Sequence, residues 1–306
     1  MNTEREDKSQ VRNSKSQICL TVAGLDPSGG AGIIADIKTF SAFGCFATAA
    51  VSSLTFQNTT GVFGAIHQTA ESIRGQIKPI VEDYALAATK TGMLPNREVI
   101  EETARLVAEY SLKNFVVDPV VRSTSGFDLI DEAALKVLIE RLFPLADLIT
   151  PNLPEAERIA QMKIESEADV EKAAKIMRGF GAKNVLIKGG HLSISDSGFR
   201  ISDLEKDIHA EEPRAKTDAR IAKDYLFVGD ELHVYEAEFI ETNATHGTGC
   251  TLAAAITANL ALGKTLFEAV GTAKEFVTEA IRTAPNLGRG HSPINTLPHR
   301  PQAKIS

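Results

Sequence analysis

The sequence contains few cysteines, and none lies in a pattern typical of a metal site or a disulfide framework. The three residues, Cys19, Cys45 and Cys250, are an odd number and include no CxxC pair. Disulfide-stapled proteins carry even sets of cysteines, and structural zinc sites use closely paired ones. We therefore expect reduced thiols and a cytoplasmic protein.

Long apolar runs and basic tracts are also missing. No stretch approaches the roughly 18 apolar residues that a membrane span needs, and the formal net charge of the 306 residues is -7. This balance makes nucleic acid and anionic membrane surfaces poor candidates for partners. Residues 1–17 are polar and lack the apolar core of a secretory signal, so we expect a disordered lead-in there.

Beyond the lead-in, apolar runs alternate with helical patterns. Strand-like runs lie at 18–23, 46–55, 62–66, 85–90, 115–118, 148–150 and 185–188. Helical or amphipathic patterns lie at about 31–43, 69–82, 96–110, 131–143, 153–161, 166–180, 249–262 and 266–283. This alternation predicts an α/β fold with a largely parallel sheet covered by helices on both faces, whose ligands bind beyond the carboxyl ends of the strands. No internal repeat or domain boundary is visible, which favours a single domain over 18–306.

One charged stretch departs from this pattern. Asp203–Asp224 has 12 charged residues out of 22, and we expect a solvated excursion there in preference to a lid. After it, 226–228 and 232–235 are joined by a short Gly-Asp-containing turn, which predicts a hairpin.

The strongest chemical motif is Thr245-His-Gly-Thr-Gly-Cys-Thr-Leu252, which leads directly into an apolar helix. A helix start exposes unpaired N–H groups and the positive end of the helix dipole, and glycines allow an anion to approach closely. The alternative is a tight N-cap made by Thr245 or Thr248. Cys250 lies in the first turn, where the dipole lowers a thiol pKa. It is either a base or orienting group for an attacking hydroxyl, or a small packing residue.

A second glycine-rich segment, Asp26-Pro-Ser-Gly-Gly-Ala-Gly-Ile33, follows the first strand. It formally fits a dinucleotide-binding pattern at Gly30–Ala35, but six residues separate the strand from that pattern. The ribose-binding acid expected about 20 residues later is replaced by the amides Gln57 and Asn58. The chain also lacks GxxxxGK[ST], so neither a Rossmann nor a P-loop protein is predicted.

Three further strand ends carry polar residues. Asn152 and Glu155 flank a helix start and suit a hydrated Mg²⁺ ion, although a capping box explains the same pair and is favoured by the local sequence. Asp118 ends another strand, where a carboxylate is placed to hold magnesium waters or a lysine. Lys188 ends a further strand beside two glycines.

Together these segments resemble the hydroxymethylpyrimidine and phosphomethylpyrimidine kinases of thiamine biosynthesis, in the ribokinase-like superfamily. The resemblance rests on TVAGLDPSGGAGIIADIKTFSAFG (21–44), LTFQNTTGV (54–62), KTGML (90–94), VVDPV (116–120), LITPNLPEA (148–156), VLIKGGHL (185–192) and THGTGCTLAAAI (245–256). It implies a three-layer α/β/α fold with a mostly parallel central sheet, and ATP and Mg²⁺ as cofactors. It also implies phosphorylation of 4-amino-5-hydroxymethyl-2-methylpyrimidine to the monophosphate and then the diphosphate. A homodimer is expected, because relatives are commonly dimers.

The resemblance also implies roles for individual residues. The pyrimidine pocket is matched by Gly24, Ala31, Asp36, Thr55 and Gln57, and the amide of Gln57 suits a ring nitrogen with its adjacent exocyclic amine. The anion hole is matched by Gly247, Thr248 and Gly249, with Cys250 at the position of the superfamily's aspartate base. Nucleotide and phosphate contacts are assigned to Lys188, Thr245 and Asn152, and magnesium contacts, largely through water, to Asp118, Asn152 and Glu155. For Asn152 and Glu155, the resemblance therefore favours a magnesium contact over the capping box that the local sequence alone favours.

The sequence departs from the family pattern at three places, and two rival functions remain. Arg122 follows the DPV segment where the family often has methionine and lysine, Ala244 replaces an asparagine, and the charged insertion is longer than usual. One rival is a pyridoxine or pyridoxal kinase on the same scaffold, which Gln57 disfavours. The other is a non-catalytic aminopyrimidine-binding protein, which has no need of an anion hole or a magnesium motif.

Overall fold

The computed structural model describes residues 16–121, 128–189 and 220–297. The strands in these ranges are β1 (Ile18–Leu25), β2 (Phe46–Asn58), β3 (Gly61–His67), β4 (Ala88–Thr91), β5 (Phe115–Val117), β6 (Leu148–Ile149), β7 (Asn184–Lys188), β8 (Ile221–Val228) and β9 (Glu231–Glu238). The helices are α1 (Gly32–Ala42), α2 (Ala70–Asp83), α3 (Arg97–Glu109), α4 (Glu132–Leu142), α5 (Leu153–Ala160), α6 (Glu167–Gly179), α7 (Thr248–Ala261) and α8 (Leu266–Arg282), with a 3-10 turn at Phe143–Leu145.

The strands form one sheet in the order β3-β2-β1-β4-β5-β6-β7-β8-β9. The six strands from β2 to β7 in this order run parallel, while β3 pairs antiparallel at one end and β8 and β9 at the other. The predicted parallel sheet and the predicted 226–235 hairpin are therefore confirmed.

The end of the charged stretch is not an excursion. Residues 221–224 belong to β8, where Asp224 is buried and pairs in register with Lys188. Residues 221–224 pair with β9, and Asp224 also pairs with β7. These contacts with distant strands place a charged segment in the sheet, which its local composition does not predict. The remainder, 203–219, lies outside the described residues, as do Arg122 and the first 15 residues.

Helices cover both faces of the sheet. In β5, Phe115 and Val117 pack into a large cluster with residues of α2 to α6, whereas Val116 packs with residues of α7 and α8 on the other face. Alternate residues of a strand point to opposite faces, so this division defines three layers. Phe40 of α1 also packs with alanines of α7. The expected three-layer α/β/α fold is confirmed.

Helix α7 lies almost wholly inside the protein. Its residues from Thr251 to Ala258 are all buried, and alanines dominate this run. A helix that is apolar all round is typical of a core position, and small side chains let it lie close to the sheet. No helix in the described ranges is long and apolar enough to cross a membrane. All described strands share one sheet; the single-domain organisation of 18–306 stays a prediction.

Candidate active site

A cavity of about 1030 Å³ opens where the parallel strands end. Polar or glycine residues at or just after the ends of five neighbouring strands line it, namely Asp26, Gly92, Asp118, Asn152 and Lys188. The start of α7 forms another wall. Of the fourteen predicted site residues, thirteen line this cavity: Gly24, Ala31, Thr55, Gln57, Asp118, Asn152, Glu155, Lys188, Thr245, Gly247, Thr248, Gly249 and Cys250.

Asp26 organises the glycine-rich loop after β1. Its carboxylate accepts hydrogen bonds from the backbone N–H and the hydroxyl of Ser28 at 2.8 and 2.7 Å. It also accepts from the backbone N–H of Gly30 at 3.2 Å and of Ala31 at 2.9 Å. His246 adds a contact from Nε2 at 2.7 Å. Burial alone would raise the pKa of Asp26, but these hydrogen bonds outweigh it and hold the pKa below its usual value.

Gly247 begins α7, the helix of the predicted anion hole. It is the N-cap of α7 with φ of 81°, a left-handed conformation that favours glycine, and no side chain caps the helix. The alternative in which Thr245 or Thr248 caps α7 is therefore wrong. The Thr248 hydroxyl instead donates to the carbonyl oxygen of Thr245 at 3.1 Å. The first turn of α7 thus faces the cavity without a side-chain acceptor, as an anion site requires.

Lys188 and Asp118 form an ion pair beside this helix start. The ammonium lies 2.8 Å from Oδ1 of Asp118, which also accepts from the Thr150 hydroxyl at 2.9 Å. A Cβ placed on Gly249 would lie 3.1 Å from Nζ of Lys188. Burial would raise the pKa of Asp118, but the Lys188 and Lys90 ammonium groups hold it below its usual value. A positive charge therefore stands next to the predicted phosphate position.

Asn152 and Glu155 form a complete capping box at the start of α5. The Asn152 side chain accepts from the backbone N–H of Glu155 at 2.9 Å, and Oε2 of Glu155 accepts from that of Asn152 at 2.8 Å. Oε1 of Glu155 accepts from the backbone N–H of Val121 at 3.4 Å. Burial raises the pKa of Glu155 to about 7, with Lys188 opposing the shift and Asp118 adding to it. The local capping interpretation is confirmed.

The same residues fit a magnesium ion held through water. In the described segments, no three histidine, cysteine or acidic side chains cluster closely enough to hold a metal directly. The oxygens of Asn152 and Glu155 already accept backbone hydrogen bonds. However, the negative charge of Asp118 disfavours ionisation of Glu155, and a divalent cation would relieve this repulsion. Mg²⁺ usually keeps several of its waters, so contacts through water suit this oxygen set.

The expectation of a lowered thiol pKa at Cys250 is wrong. Burial raises its pKa to about 11; the Lys90 ammonium and the backbone of Gly32 oppose this shift, while nearby carboxylates add to it. The thiol is therefore protonated at neutral pH. Cys250 lines the cavity as a protonated thiol, which favours orienting or packing over proton removal.

The structure also corrects the placement of Asp36. Its side chain is fully buried and is not part of the cavity wall. It accepts from the Thr21 hydroxyl at 2.6 Å and from the Lys90 ammonium at 3.1 Å. The reason is that α1 packs against β1 and β2, which turns Asp36 toward Thr21 of β1 and Lys90 of β4. Asp36 can therefore act on a ligand only through these partners.

Lys90 and His246 are two residues that the sequence reasoning did not assign. Lys90 is fully buried, and a Cβ on Gly92 in the cavity wall would lie 3.3 Å from its ammonium. Burial would lower its pKa, but Asp36 and other nearby negative groups raise it above its usual value, so the charge is retained. A lysine ending an apolar strand run was an available signal, because a buried charge requires a partner. For His246, the only signal was its place between Thr245 and Gly247.

Comparisons with known proteins give a consistent result. Residues 26–295 match the family model described as phosphomethylpyrimidine kinase. The hydroxymethylpyrimidine/phosphomethylpyrimidine kinase of Haemophilus influenzae is 40% identical over 277 residues, covering 90% of this chain and 95% of that protein. The thiamine biosynthesis bifunctional protein ThiED of Geobacter sulfurreducens is 42% identical over 278 residues; the match spans 91% of this chain and about half, 52%, of that longer protein.

The structural comparison adds a related vitamin kinase. The pyridoxal kinase from Staphylococcus aureus in complex with AMP-PCP superposes with a TM-score of 0.79 and 28% sequence identity. The match covers 94% of this chain and 96% of that one. That protein, a pyridoxal kinase by name, therefore shares the fold of this chain.

Proposed function

The chain belongs to the phosphomethylpyrimidine kinase family, and from this we propose that it is a hydroxymethylpyrimidine/phosphomethylpyrimidine kinase of thiamine biosynthesis. It transfers the γ-phosphoryl group of ATP to the hydroxymethyl group of 4-amino-5-hydroxymethyl-2-methylpyrimidine. It then phosphorylates the monophosphate to the diphosphate. We also propose a cytoplasmic location, which an ATP donor supports.

One observation carries this proposal: an amide pocket and an uncapped helix start share one cavity. Gln57 lines one part, with Thr55 two residues earlier on β2 and Gly24 on the paired strand β1. Ala31, in the loop after β1, also lines the cavity. A primary amide offers one donor and one acceptor, which complements a ring nitrogen and its exocyclic amine. The glycines at 247 and 249 line the other part beside Lys188. The substrate hydroxyl thus meets the phosphoryl group between them.

The proposed mechanism depends on alignment and charge. The N–H groups of the first turn of α7 and the Lys188 ammonium stabilise negative charge on the transferring phosphoryl group. Cys250 holds the substrate hydroxyl as a protonated thiol, and Thr245 contributes to the phosphate wall. Asp118, Asn152 and Glu155 would hold magnesium through water, and the ion would supply further neutralisation of phosphate charge.

We also propose a homodimer built on the outer face of β2 and β3. Leu54 and Phe56 alternate with the cavity residues Thr55 and Gln57 along β2, and Leu54 pairs in register with Ile66 of β3. The side chains of Leu54, Phe56 and Ile66 are all exposed, at 40%, 50% and 54%. A contiguous apolar face of this kind is typical of a protein–protein contact.

The test is to incubate the purified protein with ATP, Mg²⁺ and 4-amino-5-hydroxymethyl-2-methylpyrimidine, and to follow the products by mass. We expect the monophosphate first and the diphosphate later. Monophosphate alone would remove the second step from the proposal. No product with this substrate, together with phosphorylation of pyridoxine, would transfer the assignment to the vitamin B6 rival.

The pyridoxal kinase rival has a specific observation in its favour, the high structural similarity to such an enzyme. Both substrates are flat heteroaromatic rings with a hydroxymethyl group. The higher identity to named hydroxymethylpyrimidine kinases and the amide of Gln57 favour the aminopyrimidine. Steady-state kcat/KM values for the two substrates separate them. Binding of the pyrimidine without ATP turnover would instead support a non-catalytic binder.

A further inference from the structure

Two buried side chains outside the predicted catalytic set join the two parts of the cavity. Asp26 belongs to the glycine-rich loop after β1, which carries Ala31 of the pyrimidine pocket. His246 immediately precedes Gly247 of the anion hole. Nε2 of His246 lies 2.7 Å from Oδ2 of Asp26, and Asp26 is only 1% exposed. The pair therefore connects segments that are 220 residues apart in sequence.

A single oxygen atom makes this connection. Oδ2 of Asp26 accepts from His246 and also from the backbone N–H groups of Gly30 and Ala31. Oδ1 is held by Ser28, so the carboxylate cannot rotate without losing several hydrogen bonds. Hydrogen bonds to an ionised carboxylate are shorter and roughly twice as strong as neutral ones. Movement of either loop would therefore disturb the contacts of the other.

The backbones of the two loops are also in direct contact. A Cβ on Gly30 would overlap the His246 ring, and a Cβ on Gly247 would overlap the carbonyl oxygen of Gly30. Behind this contact, the backbone N–H of His246 donates to the carbonyl oxygen of Ser292 at 3.2 Å. His246 is thus held between the glycine-rich loop and the C-terminal segment, which leaves it little freedom to move.

We propose that Asp26 and His246 are positioning residues that set the separation between the aminopyrimidine pocket and the anion hole. This role rests on the proposed function, because it concerns the distance between the substrate hydroxyl and the phosphoryl group. Ala31, Gly247 and the pair itself all line the cavity. A misplacement of about 1 Å can cost on the order of 100-fold in rate, so this hydrogen bond acts on turnover more than on binding.

The experiment compares steady-state kinetics of Asp26→Asn, His246→Leu and His246→Gln with the wild type, using the aminopyrimidine and ATP. We expect kcat to fall on the order of 100-fold in the first two variants, with the KM of each substrate changing by less than about threefold. Glutamine reaches as far as Nε2 and donates an N–H, so His246→Gln should recover kcat to within about tenfold of the wild type.

Lys38→Met is the matched control. The Lys38 ammonium donates to the carbonyl oxygen of Gly29 at 2.8 Å, in the same loop, but from the exposed side and outside the cavity. Its loss should leave kcat unchanged. Thermal midpoints of all variants establish that each is folded, and the two His246 variants carry the test if Asp26→Asn does not fold.

Three outcomes would overturn the positioning role. They are wild-type kcat in folded His246→Leu, a loss confined to KM, or a glutamine variant as slow as the leucine one. In each case the wild type remains active, and the proposed function stands. A wild type without activity on the aminopyrimidine would overturn the proposed function and the positioning role together.

Discussion

At the scale of single residues, Gly249 and Cys250 are neighbours in the first turn of α7, but we expect unequal effects from replacing them. A Cβ on Gly249 would lie 3.1 Å from Nζ of Lys188, so the branches of valine would displace the ammonium and narrow the anion hole. Gly249→Val should lower kcat on the order of 100-fold or more. Cys250→Ser should cost about tenfold or less, because phosphoryl transfer depends mainly on positioning and charge. Rates of ADP release measure both.

Two results would contradict the expected difference between the Gly249 and Cys250 variants. Equal turnover in the wild type and a folded Gly249→Val protein would remove the anion hole from the start of α7. A larger loss of kcat in Cys250→Ser than in Gly249→Val would instead make the thiol a direct participant in the proton transfer.

The raised pKa of Glu155 predicts that the stability of the folded protein depends on pH. Its pKa rises from an ordinary 4.5 to about 7 in the folded protein, chiefly through burial. The folded state therefore binds this proton more tightly, and the resulting stabilisation is complete below pH 4.5 and is lost as the pH rises through 7. Relative to Glu155→Gln, the wild type should lose about 3 kcal/mol in free energy of unfolding between pH 4.5 and pH 8.

Urea unfolding at both pH values, without Mg²⁺, measures this difference. Glutamine is the matched replacement because it can also complete the capping box. Identical pH dependence in the two proteins would show that Glu155 titrates near its ordinary value, and would contradict the effect of burial.

At the scale of helices, two capping boxes provide a matched pair. Asn152 and Glu155 cap α5 at the cavity, while Thr265 and Glu268 cap α8, and these two do not line the cavity. Asn152→Ala and Thr265→Ala should each destabilise the protein by about 1 kcal/mol. Only Asn152→Ala should also lower kcat, because only that cap faces the phosphate and magnesium positions.

Unfolding curves and steady-state rates of the two variants check this prediction. A normal kcat in Asn152→Ala would assign the residue to helix capping alone. A matching loss of kcat in Thr265→Ala would show that activity follows general stability instead of the site.

At the scale of the whole molecule, the apolar face of β2 and β3 predicts the assembly state. We expect a dimer by light scattering, and Phe56→Glu should shift it to a monomer, because a buried unpaired charge is strongly unfavourable. Phe180→Glu is the control: Phe180 is 40% exposed after α6, away from this face. A monomeric wild type, or a dimer that survives Phe56→Glu, would contradict this interface.

Much of the fold and site followed from local patterns. The apolar runs at 18–23 and 115–118 predicted β1 and β5 closely, because burial in a parallel sheet requires nearly continuous apolar residues. The site residues were assigned mostly through the family resemblance, and thirteen of the fourteen share one cavity, because parallel strands end at the same edge of the sheet. The glycines of 245–250 likewise predicted an anion site, since helix starts expose N–H groups wherever they occur.

The tertiary structure decided what depends on contacts between distant segments. Asp224 belongs to β8 because β7 pairs with it, although the surrounding composition is charged. Asp36 is buried because α1 covers it and Lys90 neutralises it. The pKa of Cys250 rises to about 11 because burial outweighs the opposing effects of the Lys90 ammonium and the backbone of Gly32. Backbone preference and periodicity are local properties that a sequence determines directly, whereas burial and the sign of nearby charges arise only when the chain is folded.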